Sequence, residues 1–135
     1  MVERRMPRFQ EVVLPILREA LPDVMVTSWV PAVEDRKFPL INVRRVGGLP
    51  VDVDFLDIPV IELTVYSDEN LAKAENLYLD ARQALWNAVG KRNVSPAGYI
   101  HSYRETMGPT QFDSPFDDTW RVQALIALGL RPNRF

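Results

Sequence analysis

The sequence predicts an α+β fold, in which a mostly antiparallel β-sheet of four to five strands carries two α-helices on one face. Two segments have apolar residues at helical spacing, and five shorter segments read as strands that follow one another in runs. The predicted order is α-β-β-β-α-β-β. Residues 1–135 match the length of a single domain, with 47% hydrophobic and 25% charged residues as in globular proteins.

The first half of the chain predicts one helix, three strands and a stretch that is compatible with two structures. Residues 7–21 predict a helix because their apolar residues recur on one helical face. Pro15 interrupts this pattern, so we expect a kink there or a later start. The sequence VDVDFLD is compatible with a hairpin arm or a loop. Strands are predicted at residues 23–30, 38–46 and 58–66.

The second half predicts a long helix and two strands separated by a loop. Apolar residues from Leu71 to Ala88 form one broad stripe, with Ser67 or Asp68 as the N-cap and Gly90 as the stop. A rigid acidic loop is predicted from residue 108 to residue 118, because turn formers and acids fill it. Strands are predicted at residues 99–107 and 119–128.

The composition excludes several classes of protein. The chain has no cysteine, which removes thiolate metal sites, thiol catalysis and disulfides. Its net charge of −2 gives no domain-wide basic footprint for nucleic acid. We find neither a signal peptide nor a run of about 20 apolar residues that would span a bilayer. We therefore expect a soluble protein that is made in the cytoplasm.

The residues capable of catalysis or metal binding do not form a recognisable site. His101 is the only histidine and lies in a strand pattern, where a structural role is more common than catalysis. Two acidic stretches are present, but neither has the glycine and terminal glutamate of a calcium loop. We predict no enzymatic activity, no metal and no cofactor. The acids are Asp52, Asp54 and Asp57 in the first stretch, and Asp113, Asp117 and Asp118 in the second.

Two surfaces carry side chains that the packing of a monomer does not account for. Leu79 and Trp86 lie seven residues apart on one side of the second helix but outside its main stripe. The first helix covers them, or they form an exposed anchor for a partner. The second face of the sheet mixes charged and apolar residues, including Glu62 and Arg121. Such a face is solvated or docks another chain.

Three stretches resemble the tail terminator proteins of long-tailed (siphovirus-type) bacteriophages, particularly those of actinobacterial phages. FPLINVRRVGG is similar to the family's early strand, which is entered through a proline. IELTVYSDENLAKAENLYLDARQALW is similar to its central strand and long helix. ETMGPTQFDSPFDDTWRVQALIAL is similar to its last hairpin. Together they span residues 38–128, and their order and spacing carry the resemblance.

The resemblance implies a structural role in the virion. Proteins of this family form a ring, usually a hexamer, that caps the tail tube, ends its polymerisation and offers a surface for head joining. The implied partners are other copies of the chain, the tail tube protein and the head–tail connector or stopper protein. DNA passes through the ring without sequence-specific binding, and no membrane is involved. The implied location is the head-proximal end of the tail, after assembly in the host cytoplasm.

This role gives two hypotheses about residues. The stiff segment containing Phe112 and Phe116, with Arg121 just after it, contacts a neighbouring subunit or the tube; alternatively it folds back on its own domain. The three acids of VDVDFLD line the ring and repel DNA phosphates. Three rival functions remain open: a head-closure or other neck protein, a small hydrolase that uses His101, and a monomeric bacterial adaptor.

Overall fold

The computed structural model describes residues 5–133, which contain two α-helices, one short 3-10 helix and seven β-strands. In chain order these are α1 Phe9–Ala20, β1 Met25–Thr27, the 3-10 helix Val33–Asp35, β2 Leu40–Gly47, β3 Pro50–Asp52, β4 Leu56–Asp57, β5 Val60–Ser67, α2 Leu71–Ala88, β6 Gly98–Phe112 and β7 Trp120–Pro132.

The strands form one mostly antiparallel sheet, as predicted for an α+β fold. β2, β5, β7 and β6 lie side by side in that order, each antiparallel to its neighbour. β1 pairs in parallel with the first three residues of β2. β3 and β4 pair with each other, so that the β2–β5 hairpin continues beyond Gly47. The sheet has seven strands rather than four to five, because the stretch left open between hairpin and loop forms β3 and β4.

The core lies between the two helices and one face of the sheet. Alternate residues of β5, namely Ile61, Leu63 and Val65, are fully buried and belong to the same apolar cluster as both helices. Burying one such side chain stabilises the fold by roughly 1.5–3 kcal/mol. Between them, Glu62 and Thr64 lie on the other face. The helical residues of the cluster are Phe9, Val12, Val13, Leu14, Ile16, Leu17, Ala74, Tyr78, Ala81, Leu85 and Ala88.

The first helix is continuous through Pro15, because a residue from a distant part of the chain supplies the hydrogen bond that proline cannot make. α1 continues through Pro15, which has no N–H to donate to the carbonyl of Glu11 one turn earlier. The hydroxyl of Ser95 donates to that carbonyl instead, at 2.8 Å. Ser95 is buried, so it replaces the missing helical hydrogen bond inside the protein. The helix begins at Phe9, two residues later than predicted.

The second helix has a different N-cap from the one predicted. The side chain of Asn70 accepts a hydrogen bond from the Lys73 N–H at 2.8 Å, which satisfies one of the free donors of the first turn. The Ser67 hydroxyl instead accepts from the Glu69 N–H in the turn before the helix. The helix ends at Ala88, and Gly90 follows with a φ of +81°, as the predicted stop requires.

Three strands differ in length from the prediction by three residues or more, and one of them, β7, runs to Pro132, four residues beyond its predicted end. β1 ends at Thr27, whose hydroxyl donates to the Trp29 carbonyl and turns the chain away from β2. β6 extends to Phe112, so the loop predicted over residues 108–112 is wrong there. Pairing with β7 overrides the turn-forming residues, with Thr110 opposite Gln123 and Phe112 opposite Arg121.

The long β6 strand is irregular along its length. Its register against β7 shifts three times, between Ile100 and Ser102, between Glu105 and Met107, and between Met107 and Thr110. Pro109 lies within the last shift, where its missing N–H removes no regular ladder bond. β6 is a lateral edge of the sheet, since the pairing found among residues 5–133 joins it to β7 alone.

Candidate assembly surfaces

The described residues contain no arrangement that favours catalysis or a metal ion. Within residues 5–133, no group of three or more histidine, cysteine, aspartate or glutamate side chains is placed to hold a metal. His101 is exposed on β6. Neither helix described has the length and apolar character needed to cross a bilayer. The features that stand out are therefore exposed apolar surfaces.

The most prominent surface is the arm, which we define as residues 47–57. It comprises β3, β4 and their connections. At its base Gly48 has a φ of +93°, and a Cβ at this position would lie 2.0 Å from the Ile58 carbonyl oxygen. Only glycine fits here without a shift of the backbone. The arm carries four large apolar side chains that are more than half exposed: Leu49 (80%), Val51 (73%), Val53 (72%) and Phe55 (53%).

An ion pair fixes the base of the arm. The Arg45 guanidinium donates to both carboxylate oxygens of Asp57, at 2.7 and 3.2 Å, and Asp57 is buried. The same guanidinium donates to the carbonyls of Gly47 and Gly48 at 3.0 and 3.1 Å. Arg45 thus connects the two sides of the hairpin at the base of the arm, and its charge balances that of Asp57.

The other two acids lie at the exposed tip of the arm. The Asp52 carboxylate accepts a hydrogen bond from the Asp54 N–H at 2.8 Å, which stabilises the turn between β3 and β4. Both residues are exposed. The three predicted acids are therefore close together in the chain but differ in burial: Asp57 is buried in an ion pair, whereas Asp52 and Asp54 are exposed.

A second surface lies where α2 crosses β6, and we call it the α2–β6 surface: Leu79, Arg82, Trp86 and Tyr103. Leu79 and Trp86 are 44% and 57% exposed, so the first helix does not cover them. The Trp86 ring packs edge-on against Tyr103 of β6, with 5.8 Å between ring centroids. Tyr103 holds the indole at the edge of the sheet while leaving much of it exposed.

A polar network supports the α2–β6 surface from beneath. Glu105 of β6 accepts hydrogen bonds from the Tyr78 hydroxyl and from Arg82, the latter at 2.8 and 3.0 Å. Burial, followed by the hydrogen bond to Glu105, raises the pKa of Tyr78 above its usual value. Burial likewise raises the pKa of Tyr103. The network ties α2 to β6 and keeps both phenols protonated in the folded protein.

The predicted contact residues Phe112 and Phe116, at the turn between β6 and β7, lie in different environments. The Phe116 ring packs against the rings of Tyr66 and Phe38, at centroid distances of 4.9 and 6.2 Å, with the Arg36 guanidinium 4.1 Å from its centroid. Phe116 therefore folds back on its own chain. Phe112, in contrast, is exposed.

Arg121 links the base of this turn to the exposed Phe112. Its guanidinium lies 5.3 Å from the centroid of the Phe112 ring. The same group donates to the Gln123 side chain and to the Asp113 carbonyl. The exposed Phe112 and the half-buried Arg121 thus form a small patch that is separate from the packed Phe116.

The apolar residues of the arm were missed at the level of sequence. The acids in VDVDFLD drew attention, although the same stretch alternates apolar and acidic residues. That alternation was the available signal, since it gives a short hairpin one apolar side and one acidic side. The segment after β1 was missed as well: Trp29, Val30 and Val33 were assigned to a strand or a loop, and all three are exposed.

Comparison with known proteins gives consistent results. A profile of the family described as phage tail termination protein matches residues 5–135. The chain is 48% identical over 134 residues to the Gene 22 protein of Mycobacterium phage L5, and 47% identical over 133 residues to the Gene 22 protein of Mycobacterium phage D29. Each alignment covers 96% of both chains.

The fold also has a counterpart among solved structures. A chain from the virion of a native gene transfer agent particle aligns with a TM-score of 0.51 and 15% identity, covering 85% of this chain and 84% of that one. At this identity the likeness concerns the fold alone. The family profile and the two phage relatives each span nearly the whole chain, and the predicted resemblance and location in the virion tail are confirmed. The chain belongs to the family of phage tail termination proteins and is a structural component of a phage tail.

Proposed function

We propose that this protein forms a homo-oligomeric ring, a hexamer as the resemblance noted above implies, that caps the tail tube at its head-proximal end. The ring ends the addition of tube subunits and offers a surface to the head–tail connector or stopper protein. The observation that carries the proposal is the set of large apolar side chains on the arm, which the monomer leaves exposed. An apolar surface of this extent is typical of a binding site for another protein.

The α2–β6 surface and the Phe112 patch supply further contacts for such an assembly. Leu79 and Trp86 present apolar area beside a fixed polar network, and tryptophan is enriched among the residues that dominate binding energy. Phe112 and Arg121 offer an aromatic ring and a cation at the other end of β6. We assign these four residues to contacts with a neighbouring copy or with the tube. Phe116 contributes by holding the turn in place.

The charge of the arm tip suits a passage for DNA. Asp52 and Asp54 are exposed, and we propose that they face the lumen of the ring, where they repel phosphates and prevent the DNA from adhering. Asp57 adds little to this field because Arg45 balances its charge. Replacing Asp52 and Asp54 by asparagine should slow the passage of DNA. Unaltered infectivity of the double variant would count against a role in the lumen.

The capping function can be tested by assembly in vitro. Purified protein is mixed with purified tail tube subunits, and the lengths of the tubes are measured by electron microscopy. We expect shorter tubes that carry a ring of this chain at one end, because a cap blocks further addition. Rings without any change in tube length would indicate a head-closure or other neck protein instead. A chain that remains monomeric, alone and with tubes, would point to an adaptor.

The contact assigned to Phe112 has its own test. Phe112→Ser removes an exposed ring, so its free energy of unfolding should stay close to that of the parent chain. We expect weaker ring assembly on tube ends. Normal assembly by this variant, at unchanged stability, would remove Phe112 from the contact surface.

We also propose that the protein acts without catalysis. The family is one of structural tail proteins, and His101 is exposed on β6, while residues 5–133 contain no group of three or more side chains placed to hold a metal. His101→Ala should retain full tube capping. A loss of capping in a variant that remains folded would revive an enzymatic role for this residue.

A further inference from the structure

A pocket at one end of the sheet brings two arginines together. It has a volume of about 150 Å³ and is lined by the end of β7, the start of β6, the loop after α2 and the arm. Arg131 of β7 is the cross-strand partner of Tyr99 on β6. The Arg92 guanidinium lies 5.1 Å from the centroid of the same tyrosine ring. The lining residues are Phe55, Arg92, Tyr99, Arg131, Pro132 and Asn133.

Neither arginine is neutralised by an acid in the part of the chain that the structure describes. The ion pairs found within residues 5–133 belong to five other arginines. The Arg131 Nε is buried and has no hydrogen-bond partner within the same residues. Buried donors in folded proteins are almost always paired with protein, water or ligand. Water could pair with this donor, but only an anion would also balance the two positive charges.

Asn133 fixes the frame of the pocket. Its side-chain amide donates to the carbonyls of Arg92 and Ser95, at 3.0 and 2.6 Å, and its N–H donates to the Ala97 carbonyl at 3.3 Å. These bonds attach the loop that carries Arg92 to the end of β7, which carries Arg131. The Arg131 Nε, in contrast, has no hydrogen bond to break, so this side chain can turn toward a ligand while the backbone stays in place.

We propose that this pocket binds the carboxylate of an aspartate or glutamate side chain on a partner protein in the tail. A guanidinium donates paired hydrogen bonds to the two oxygens of a carboxylate, and such charge-assisted bonds are roughly twice as strong as neutral ones. Phe55, Tyr99 and Pro132 offer apolar walls to the methylene groups behind the carboxylate. The proposal goes beyond the capping role and is independent of the number of copies in a ring.

The phosphates of DNA suit this pocket less well than a single carboxylate. Duplex DNA carries one negative charge per about 1.7 Å of its axis, so a bound phosphate brings many others with it. Asp54 directly precedes Phe55 in the chain and is exposed, so its carboxylate would repel this row of charges. One acidic side chain on a neighbouring protein brings no such row.

Titration of the full chain with sodium acetate tests the pocket itself. The arginine Nε–H signals are followed by NMR, with sodium chloride at the same ionic strength as the reference. We expect the signals of Arg92 and Arg131 to shift saturably with acetate but not with chloride. Arg92→Gln should weaken acetate binding at least tenfold. The matched control is Arg104→Gln, which removes another exposed arginine, on β6 and outside the pocket, and should leave the affinity unchanged.

Two results of this titration would contradict the proposal. The absence of a saturable shift, or equal shifts in both salts, would overturn the site. Dimethyl phosphate carries the same single charge as acetate and has the chemistry of the DNA backbone. Tighter binding of dimethyl phosphate than of acetate would overturn the assignment to a carboxylate.

Carbodiimide coupling tests the contact with a partner protein. Arg92→Lys places a primary amine at the pocket, and carbodiimide joins an amine to a carboxylate that touches it: an amide forms, and the carbodiimide takes up the lost water and becomes a urea. Virions that carry this variant in place of the parent chain are purified and treated, and linked peptides are identified by mass spectrometry. We expect position 92 to be joined to an aspartate or glutamate of another polypeptide. The parent chain and the control Arg104→Lys should not give this product.

The two measurements separate this contact from the proposed function. Virions that assemble normally with Arg92→Lys but show no link from position 92 would overturn the docking and leave the capping function standing. A parent chain that binds acetate in the pocket but leaves tube length unchanged would overturn the capping function and leave the anion pocket standing.

Discussion

The hydroxyl of Ser95 replaces a helical hydrogen bond that Pro15 cannot make, and this relation predicts an energetic coupling between the two residues. In the native chain the Ser95 hydroxyl donates to the Glu11 carbonyl at 2.8 Å and accepts from the Ala97 N–H at 3.2 Å. Ser95→Ala removes both hydrogen bonds and leaves the Glu11 carbonyl without a donor. In Pro15→Ala the new N–H at position 15 donates to Glu11, as in any regular helix.

The magnitude follows from the two bonds. Each contributes about 0.5–1.5 kcal/mol to the free energy of unfolding, so Ser95→Ala should cost about 2 kcal/mol in the native background. For a domain of this size this lowers the Tm by about 8 °C. In the Pro15→Ala background only the bond to Ala97 is lost, and the cost should fall to about 1 kcal/mol. The expected coupling between the two substitutions is therefore about 1 kcal/mol.

Urea denaturation of the parent chain, both single variants and the double variant measures this coupling directly. The four midpoints are comparable as free energies if the slope m is the same for all four chains. If Ser95→Ala costs the same in both backgrounds, to within about 0.3 kcal/mol, then Ser95 does not replace the missing donor. The continuity of α1 through Pro15 would then need another cause.

Three further outcomes are expected. Gly48→Ala should lower the free energy of unfolding by about 3 kcal/mol, because residue 48 has a positive φ and the new Cβ would clash with the Ile58 carbonyl. The adjacent Gly47→Ala has nothing within 4 Å of its Cβ and should change this free energy by no more than about 0.5 kcal/mol. Equal urea midpoints for the two variants would contradict the close fit at the base of the arm. Arg45→Met should destabilise the fold by about 1–3 kcal/mol because it leaves the buried Asp57 carboxylate unpaired, and adding Asp57→Asn should recover part of the loss in the same assay. Because the pKa of Tyr78 is raised in the folded protein, its contribution to stability is complete below about pH 10 and declines as the pH rises further, since only the unfolded phenol then ionises. Tyr78→Phe should therefore flatten the decline of the unfolding free energy at alkaline pH. An unchanged slope would show that the Tyr78 phenol does not cause this decline.

The regular parts of the fold were predictable because their periodicity is strong and local. α2 was placed from Leu71 to Ala88, since its apolar stripe and the following Gly90 act within the segment. The central strand was placed within two residues of β5, because Ile61, Leu63 and Val65 alternate with polar residues. These patterns can be recognised within each segment, without knowing which distant residues it contacts.

The remaining features depend on contacts between distant parts of the chain. The extension of β6 to Phe112 is stabilised by pairing with β7, which overrides a local sequence rich in turn formers. The continuity of α1 depends on Ser95, 80 positions beyond Pro15. Among the proposed contact residues, Trp86 was found from its spacing, whereas Val51 and Val53 were obscured by the acids between them. Only the path of the backbone shows that these valines are exposed.

The irregular register of β6 limits how copies of this chain can associate. A long, flat, unpaired strand recruits further strands side by side and promotes cross-β fibres. Three register shifts and Pro109 interrupt the row of free N–H and C=O groups along this strand. Backbone pairing is thereby discouraged, and association is left to side chains, which fix the angle between neighbours. If the protein ends the growth of the tail tube as proposed, this irregular edge also discourages it from forming a fibre of its own.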